Sequence, residues 1–575
     1  MNSTIKKLLT YIKKYKIQIL FSLVISAMSV WLSLYIPIIV ANAIDYIVGK
    51  NQVDFTTISG LILQIVQIAI VVAILQWMIN IINNKITFLV ARDLRNDALK
   101  KLEKVPLKYI DTNQHGDMVS RVISDVDQIV DGLLMGFTQI FTGVLTILIT
   151  LFFMFSINYK MAIIVIVLTP LSLFIAKFIS KRTYHLFEKQ SEIRGEETAF
   201  LNEMVVNQKT VIAYGEEKNN IDKFTKINDR LEDVGIKASF FSAITNPCTR
   251  FVNNIVYACV VFAGACFAIA GNLSVGGLTC FLNYANQYTN PFNEISGVLT
   301  ELQNAFASAK RIFEVIEQEE EKDDGKRNLE NVQGKVELKD VEFGYTENKM
   351  ILDGINFVAE PGTKIAIVGP TGCGKTTLIN LLMRFYDLNS GKILIDQKDI
   401  TDVNRTSLRK SFGMVLQDTW IKKGTIKENI KLGKPEATDE EIIQAAKSAM
   451  AYNFIKRLPE GFETIVENND SILSEGERQL ISIARVMLLD PPMLILDEAT
   501  SNIDTRTEQK VQKAFAKLMK GRTSFVVAHR LSTIVSADII LVIKNGKIIE
   551  KGRHKELLES GGFYAKLYNS QYKIC

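Results

Sequence analysis

The stretch Gly369-Pro-Thr-Gly-Cys-Gly-Lys-Thr376 directly follows the apolar run Lys364-Ile-Ala-Ile-Val368 and precedes the helical pattern Thr377–Met383. It matches G-x-x-x-x-G-K-[ST] in the strand, loop, helix order that a P-loop requires. Glycines in such a loop let backbone amides surround phosphate oxygens, and the helix N-terminus adds the positive end of its dipole. The stretch therefore predicts an α/β domain with a site for nucleotide phosphates.

Within this loop, Lys375 is expected to reach the β- and γ-phosphates of ATP, and the Thr376 hydroxyl to ligate Mg²⁺. The residues predicted to contact the nucleotide are Gly369, Pro370, Thr371, Gly372, Cys373, Gly374, Lys375, Thr376 and Thr377. Cys373 is either a reactive thiol at a helix N-terminus or a shielded one. The six cysteines include no C-x-x-C pair, so they predict neither a metal site nor a disulfide framework.

Two further strand-like runs end in polar residues. Met493-Leu-Ile-Leu496 leads into Asp497-Glu498, where Asp497 is placed to hold Mg²⁺ and Glu498 to polarise the attacking water. Ser524-Phe-Val-Val-Ala528 leads to His529, which is expected to meet the γ-phosphate; the alternative is a core histidine that caps a strand. These residues predict an ATP-hydrolysing centre with Lys375, Glu498 and His529 as its catalytic residues.

The N-terminal half has long uncharged stretches. Residues 17–44, 55–84 and 132–159 each exceed the ~20 residues that cross a bilayer. A fourth span is predicted from Met161 to about Ile179, with a buried core helix as the alternative, and 251–293 is long enough for two spans separated by the turn-rich residues 271–277. The sequence thus predicts an all-α, six-span transmembrane domain.

The charges beside these spans predict their orientation. Five lysines precede the first span, at positions 6, 7, 13, 14 and 16, which places the N-terminus in the cytoplasm. The polar, helix-patterned segments 85–131 and 180–250 are then also cytoplasmic, and six crossings return the C-terminal half to that side. The chain is expected to be a multi-pass protein of the cell membrane with a cytoplasmic ATPase domain.

Length and charge set the domain plan. The 575 residues exceed what a single core supports, and 67 Lys and Arg against 62 Asp and Glu give a net charge of only +5, which does not suggest a nucleic-acid partner. We expect a transmembrane domain with two intracellular coupling loops over 1–316, a charged linker over 317–334 and a nucleotide-binding domain with a helical subdomain over 335–575.

The sixth span carries amides on one face, at Asn283, Asn286, Gln287 and Asn290. Their i, i+3/i+4, i+7 spacing fits hydrogen bonds between helices and a cavity lining equally well.

The ordered motifs resemble the nucleotide-binding domain of ATP-binding-cassette (ABC) transporters. They are Tyr345, GPTGCGKT, Gln417, LSEGERQ at 473–479, LILDE, SNID at 501–504 and AHR at 528–530. Joined to six preceding spans, the chain resembles a half-transporter of the multidrug-exporter type. Residues 109–127 and 211–216 resemble the two coupling loops.

The resemblance implies roles for individual residues. Tyr345 would stack on adenine, Gln417 would sense Mg²⁺ and the γ-phosphate, Glu498 would be the general base and His529 would clamp the γ-phosphate. In this family two domains close head to tail.

That closure implies that Ser474 and Gly476 would contact the ATP held by a partner's P-loop. The signature departs from L-S-G-G-Q, because Glu475 and Glu477 add two carboxylates beside the expected γ-phosphate, and Asn502 replaces a small apolar residue. This asymmetry resembles one subunit of a heterodimeric exporter, with a homodimer as the alternative.

The implied function is ATP-driven export of a small amphipathic, drug-like or lipid-like substrate by alternating access. An ATP-gated channel or a membrane sensor with the same ATPase is the alternative; the spans lack the basic ring that a gated anion pore can show.

Overall fold

The computed structural model describes residues 2–47, 53–271, 273–323, 325, 327–346, 349–416, 419–467, 472–497, 504–527 and 534–572, without the side chains of 2, 3, 170–173, 175–182, 184, 245, 246, 249, 292–297, 299, 300, 571 and 572. It divides into two compact units. One comprises Met1–Glu103 and Gln114–Gln318, and the other comprises Lys104–Asn113 and Glu319–Cys575.

The described elements of the first unit are all helices. Its helices are Asn2–Lys13, Lys16–Asp45, Phe55–Leu102, His115–Ser120, Val126–Met135, Phe141–Ile157, Tyr159–Val206, Gln208–Tyr214, Glu217–Ile269 and Val275–Ile316. Two π-helical turns, Arg121–Asp125 and Gly136–Ile140, join the short helices before Ile157 into one continuous rod. Phe55–Leu102 has 48 residues, hence a length of ~72 Å at ~1.5 Å per residue, so it extends far beyond a bilayer core of ~30 Å.

Among the described residues, four helices are long and apolar enough to cross a membrane: Lys16–Asp45, Phe55–Leu102, His115–Ile157 and Arg250–Ile269. The predicted fourth span begins in the shorter apolar stretch Tyr159–Thr169. The predicted sixth span lies in Val275–Ile316, which starts within the expected break at 271–277. The count of six spans therefore stays a prediction.

Helix packing in this unit depends on small residues and on a few polar bonds. A Cβ at Gly132 would lie 2.4 Å from the Ala305 Cβ, so glycine is required where these two helices meet. The buried Tyr284 hydroxyl donates to the Leu34 carbonyl oxygen at 2.6 Å, and the Ser22 hydroxyl donates to the Asn83 side-chain oxygen at 2.7 Å. Such bonds fix the helices in a medium that offers no water to polar groups.

The second unit contains twelve strands among its described residues. They are β1 (Val336–Phe343), β2 (Leu352–Ala359), β3 (Lys364–Val368), β4 (Ser390–Ile395), β5 (Lys398–Asp399), β6 (Phe412–Val415), β7 (Gly424–Thr425), β8 (Ile465–Val466), β9 (Met493–Asp497), β10 (Thr523–Val527), β11 (Ile539–Lys544) and β12 (Lys547–Gly552). The main sheet has the order β12-β11-β3-β10-β9-β6 and is parallel except for β12. A smaller antiparallel sheet has the order β2-β1-β4-β5, and β7 pairs with β8.

The helices of this unit are Leu107–Thr112, Lys375–Leu382, Arg405–Lys410, Ile426–Lys431, Asp439–Ser448, Tyr452–Ile455, Glu475–Leu489, Thr505–Met519, His554–Glu559 and Phe563–Tyr572. One buried cluster joins the two larger sheets around the helix Lys375–Leu382, with Leu107 packed against it. A second buried cluster holds the helices between Ile426 and Met519 on the edge of the main sheet. The α/β domain with a helical subdomain is confirmed.

Candidate functional site

The P-loop lies at the carboxyl end of β3, between β11 and β10. Gly372 and Gly374 adopt φ of 78° and 106°, in the left-handed region that favours glycine. A Cβ at Gly374 would lie 2.6 Å from Leu352 Cδ2, and one at Gly369 would lie 2.2 Å from the Ile543 carbonyl oxygen. The loop is therefore closed tightly around its own backbone, as a phosphate cradle requires.

Lys375 is the first residue of the helix that follows. Its ammonium group donates to the carbonyl oxygens of Gly369 at 2.8 Å and Pro370 at 3.0 Å, so its charge lies across the loop. Thr371 and Thr376 are exposed beside it. This geometry leaves the Lys375 charge and the Thr376 hydroxyl accessible to a bound nucleotide.

Cys373 and Thr377 point the other way. Cys373 is 6% exposed and belongs to the core cluster under the loop. Thr377 is buried, and its Oγ1 lies 3.2 Å from the Tyr345 hydroxyl. Only the backbone groups of Cys373 and Thr377 are therefore placed to contact phosphate. Of the two alternatives for the Cys373 thiol, the structure has the shielded one.

Tyr345 is half-exposed beside the P-loop helix. Its ring plane is nearly perpendicular to those of Phe343 and Tyr386, with centroids 5.0 Å apart in both pairs, which holds the ring in place while the residue remains 40% exposed. Burial, the hydrogen bond to the Asp111 carboxylate and the charge of Asp111 raise the pKa of Tyr386, so this phenol stays protonated.

The carboxyl ends of the parallel strands bring further predicted residues to the same edge. Asp497 ends β9 and is in register with Val527 of β10, which is in register with Ile367 of β3. On the other side of β9, Leu496 pairs with Val415 at the end of β6. Gln417, Glu498 and His529 follow these strand ends in the sequence and lie outside the described residues, as do Asn502 and residues 468–471.

The signature residues begin the helix Glu475–Leu489, with Ser474 as its N-cap and Gly476 buried in its first turn. The Ser474 hydroxyl accepts from the Glu477 backbone N–H at 3.3 Å, and the Glu477 carboxylate accepts from the Ser474 backbone N–H at 3.0 Å. This capping box has the pattern S-x-x-E, a signal that was legible in the sequence. Sequence reasoning assigned Glu477 only a charge, and missed that it caps the helix.

A cluster of charged residues around Arg405 was also missed. This side chain is 6% exposed, donates to both oxygens of Asp387 at 2.9 and 2.8 Å, and pairs with Glu321 of the linker at 3.3 Å. Glu321 also bonds twice to Arg409. Burial raises the pKa of Asp387, but the hydrogen bonds and charges of Arg405 and Arg384 outweigh it and lower the pKa. The charged linker is therefore held by ion pairs at Glu321.

The amides of the sixth helix separate into different surroundings. Asn283 donates to the Thr279 carbonyl oxygen of its own helix at 3.1 Å. Asn286 and Asn290 line one cavity of about 260 Å³, and Gln287 lines another of about 310 Å³. Cavity lining, one of the two interpretations left open by the spacing, therefore applies to three of the four.

Comparisons with known proteins agree with these features. The family model for the ABC transporter transmembrane region matches residues 19–292, and the ABC transporter family model matches residues 352–501. An uncharacterized ABC transporter ATP-binding protein of Bacillus subtilis, YfiC, is 38% identical over 99% of this chain and 94% of its own. A fatty acid ABC transporter ATP-binding/permease protein of Mycobacterium bovis is 40% identical over 91% of this chain and 83% of its own.

A solved structure has the same fold. A bacterial Atm1-family ABC exporter with ATP bound superimposes with a TM-score of 0.79 at 28% identity, covering 97% of this chain and 98% of that one. The similarity thus includes the P-loop, the parallel sheet and the helical membrane unit, and it extends along nearly the whole chain. The chain belongs to the ABC transporter family, as an exporter of the multi-pass membrane type whose cytoplasmic domain binds ATP and hydrolyses it to drive transport.

Proposed function

We propose that this chain is one half of a dimeric exporter that moves a small amphipathic substrate out of the cytoplasm or the inner leaflet by alternating access. The observation that carries the proposal is the P-loop, with the Lys375 ammonium group across it, on the same chain as a helical membrane unit. ATP binding would close two ATPase domains, the coupling segments would transmit the closure, and hydrolysis would reset the transporter.

Mg²⁺ fits the residues at this site. The exposed Thr376 hydroxyl and the Asp497 carboxylate are the hard oxygen ligands that Mg²⁺ prefers, and both follow parallel strands of one sheet. Bound there, Mg²⁺ would neutralise charge on the β- and γ-phosphates. Gln417 would contact the ion and the γ-phosphate from the end of β6.

The other roles follow from the chemistry of each residue. Lys375 holds the β- and γ-phosphates, Glu498 polarises the attacking water and His529 clamps the γ-phosphate. Tyr345, whose side chain is partly exposed, would stack on adenine.

The partner is a second half-transporter. Ser474 and Gly476 begin a helix of fifteen residues, whose N-terminus is suited to the γ-phosphate of a nucleotide held by that partner. In this chain the Glu477 carboxylate accepts hydrogen bonds from the backbone N–H and from the hydroxyl of Ser474, both at 3.0 Å. This carboxylate would repel the γ-phosphate of the partner's nucleotide, which supports a heterodimer with one weak site. In a homodimer both sites would be weakened in this way.

The substrate class draws support from the membrane unit. Two cavities lined by amides and hydroxyls lie among apolar helices, an arrangement that suits a molecule with a polar head and an apolar body. The relative from Mycobacterium bovis is named for fatty acid, which is such a molecule. We therefore favour lipid-like substrates over soluble polar ones.

Reconstitution tests the proposal. Proteoliposomes with the ATPase domain outward should accumulate a fluorescent amphiphile against its gradient when Mg²⁺-ATP is added, and the Glu498→Gln variant should not. ATP-dependent flux that only dissipates a gradient would identify a channel instead. ATP turnover with no flux of any kind would favour the sensor.

A further inference from the structure

A cavity of about 260 Å³ lies in the membrane unit between the helices Tyr159–Val206, Glu217–Ile269 and Val275–Ile316. Its volume is below the ~300–1,000 Å³ typical of sites that enclose a whole drug-sized ligand, so it suits a headgroup. Polar side chains dominate its wall: Arg250, Asn253, Asn254, Tyr257, Asn286 and Asn290. Val165, Val256 and Ala285 form its apolar side.

Arg250 supplies the only charge among the described residues that line this cavity. Within the part of the chain that the structure describes, its guanidinium forms no ion pair or hydrogen bond, in contrast to Arg311, which pairs with Asp125 in the same unit. An arginine at a membrane cavity is costly to leave unpaired, and its planar fork of N–H donors matches carboxylate and phosphate oxygens. The exposed guanidinium is available for an anion.

The amides provide the second observation. The Oδ1 atom of Asn253 is buried and has no hydrogen-bond partner. This oxygen is an acceptor, so it calls for an O–H or N–H donor in the cavity, such as a water molecule, whereas an anion would bind to the donors of the wall. Each asparagine carries an amide nitrogen with two N–H donors, and Tyr257 adds an O–H, so the wall offers several donors to oxygen atoms beside one positive charge.

The position of Arg250 along its helix fits a headgroup. Arg250 directly precedes the uncharged stretch 251–293 and ends the segment 180–250, which is expected on the cytoplasmic side. The helix continues from Arg250 toward the cytoplasmic end, so the guanidinium lies at the inner membrane interface. An amphiphile of the inner leaflet has its headgroup at this level and its chain among the apolar residues above.

We propose that this cavity binds the anionic headgroup, a carboxylate or a phosphate, of the amphipathic substrate, with Arg250 as its charge partner. This inference rests on the proposed export function and specifies the substrate class. The second membrane cavity, of about 310 Å³, is lined by hydroxyls and amides such as Ser29, Thr142 and Gln287, and the residues described in its wall carry no charge. The charge discrimination therefore belongs to the Arg250 cavity alone.

Binding and transport measured separately test the proposal. The full-length transporter in nanodiscs of uncharged phosphatidylcholine would be titrated with four probes that share a dodecyl chain: laurate, dodecyl phosphate, dodecanol and dodecyltrimethylammonium. We expect laurate and dodecyl phosphate to bind at least tenfold more tightly than the other two. Arg250→Gln should remove this preference and leave dodecanol binding unchanged, and Arg250→Lys should retain part of it.

Lys85→Gln is the matched control, because Lys85 is an exposed cation directly after the uncharged stretch 55–84, at the same inner boundary. It should leave the preference intact. Equal loss in Lys85→Gln, or an unchanged preference in Arg250→Gln, would overturn the inference. Displacement of dodecyl phosphate by inorganic phosphate at comparable concentration would reassign the cavity to a soluble anion and would also overturn it.

Transport in proteoliposomes of the same lipid separates this inference from the proposed function. Arg250-dependent binding without ATP-driven movement of the probe supports the headgroup site and contradicts export of this class. Movement of all four probes with no dependence on Arg250 supports export and contradicts the headgroup site.

Discussion

The Ser474 side chain and the Glu477 carboxylate form a closed pair at the start of the helix Glu475–Leu489. Ser474 Oγ lies 3.3 Å from the Glu477 backbone nitrogen and 3.0 Å from Glu477 Oε2, and the same carboxylate accepts from the Ser474 backbone N–H at 3.0 Å. The helix N-terminus thus has its own anion, in the place where a partner's γ-phosphate would bind.

This pair predicts different effects for two substitutions of Glu477. Glu477→Ala removes the carboxylate that caps the Ser474 N–H and should cost about 0.5–2 kcal/mol of unfolding free energy. Glu477→Gln keeps an oxygen acceptor and should cost much less. Thermal unfolding of the purified variants measures both, and equal losses would contradict the capping role.

The same pair predicts an effect on catalysis. Glu475→Gly with Glu477→Gln removes two negative charges beside the expected γ-phosphate, so nucleotide turnover or exchange at the weak site should rise. The single-site control is Glu475→Gln, which leaves the capping box in place. A purified chain that forms a homodimer with two equivalent hydrolysing sites would contradict the asymmetric assembly.

Lys375→Ala should abolish ATP binding by this chain's P-loop, because the ammonium across the loop is the charge that meets the β- and γ-phosphates. Lys364→Ala is the matched control, since Lys364 begins the same strand at its opposite end. Equilibrium binding of a fluorescent ATP analogue measures the loss. Retention of wild-type affinity in Lys375→Ala would remove this lysine from the site.

Glu498→Gln should lower steady-state hydrolysis by ~10²–10⁴-fold while ATP still binds, because it removes the general base and leaves the phosphate cradle unchanged. Phosphate release and nucleotide binding, measured on the same preparation, check the two halves of this prediction. More than half of the wild-type turnover would refute the assignment.

Cys373 should react slowly with maleimide in the folded protein and fully after unfolding, because its side chain is 6% exposed and packs in the core. ATP should not change the rate, and Cys373→Ser should abolish the labelling of the peptide that contains position 373 after unfolding. Mass spectrometry of the modified peptide measures this. Fast labelling that ATP prevents would show that the thiol opens onto the nucleotide.

His554 predicts a pH dependence of stability. Burial and the charge of Lys555 lower its pKa, and its Nδ1 lies 2.7 Å from the Tyr564 hydroxyl. As the pH falls, the unfolded chain binds this proton before the folded protein does. The stabilising effect of neutral His554 is therefore complete above the unfolded pKa of ~6.5 and is lost as the pH falls below that value. The melting temperature should fall between pH 7.5 and 5.5, and less so in His554→Gln; the same fall in both would contradict this.

The sequence alone determined the family and the general architecture. The glycine and lysine spacing of 369–376 has one physical use, because left-handed glycines and a lysine at a helix start together make a phosphate cradle. Uncharged stretches of more than twenty residues have one stable environment, the bilayer. Both patterns involve residues that are close together in the sequence, so they can be recognised without the tertiary structure.

The tertiary structure decided what depends on distant residues. It joined Asp387 and Glu321 to the buried Arg405 in one ion-pair cluster and turned the Cys373 side chain into the core. It also separated Asn286 and Gln287, adjacent in sequence, into two cavities of different charge. Neighbouring positions on a helix point ~100° apart, so only the packing of the surrounding helices determines which cavity each side chain enters.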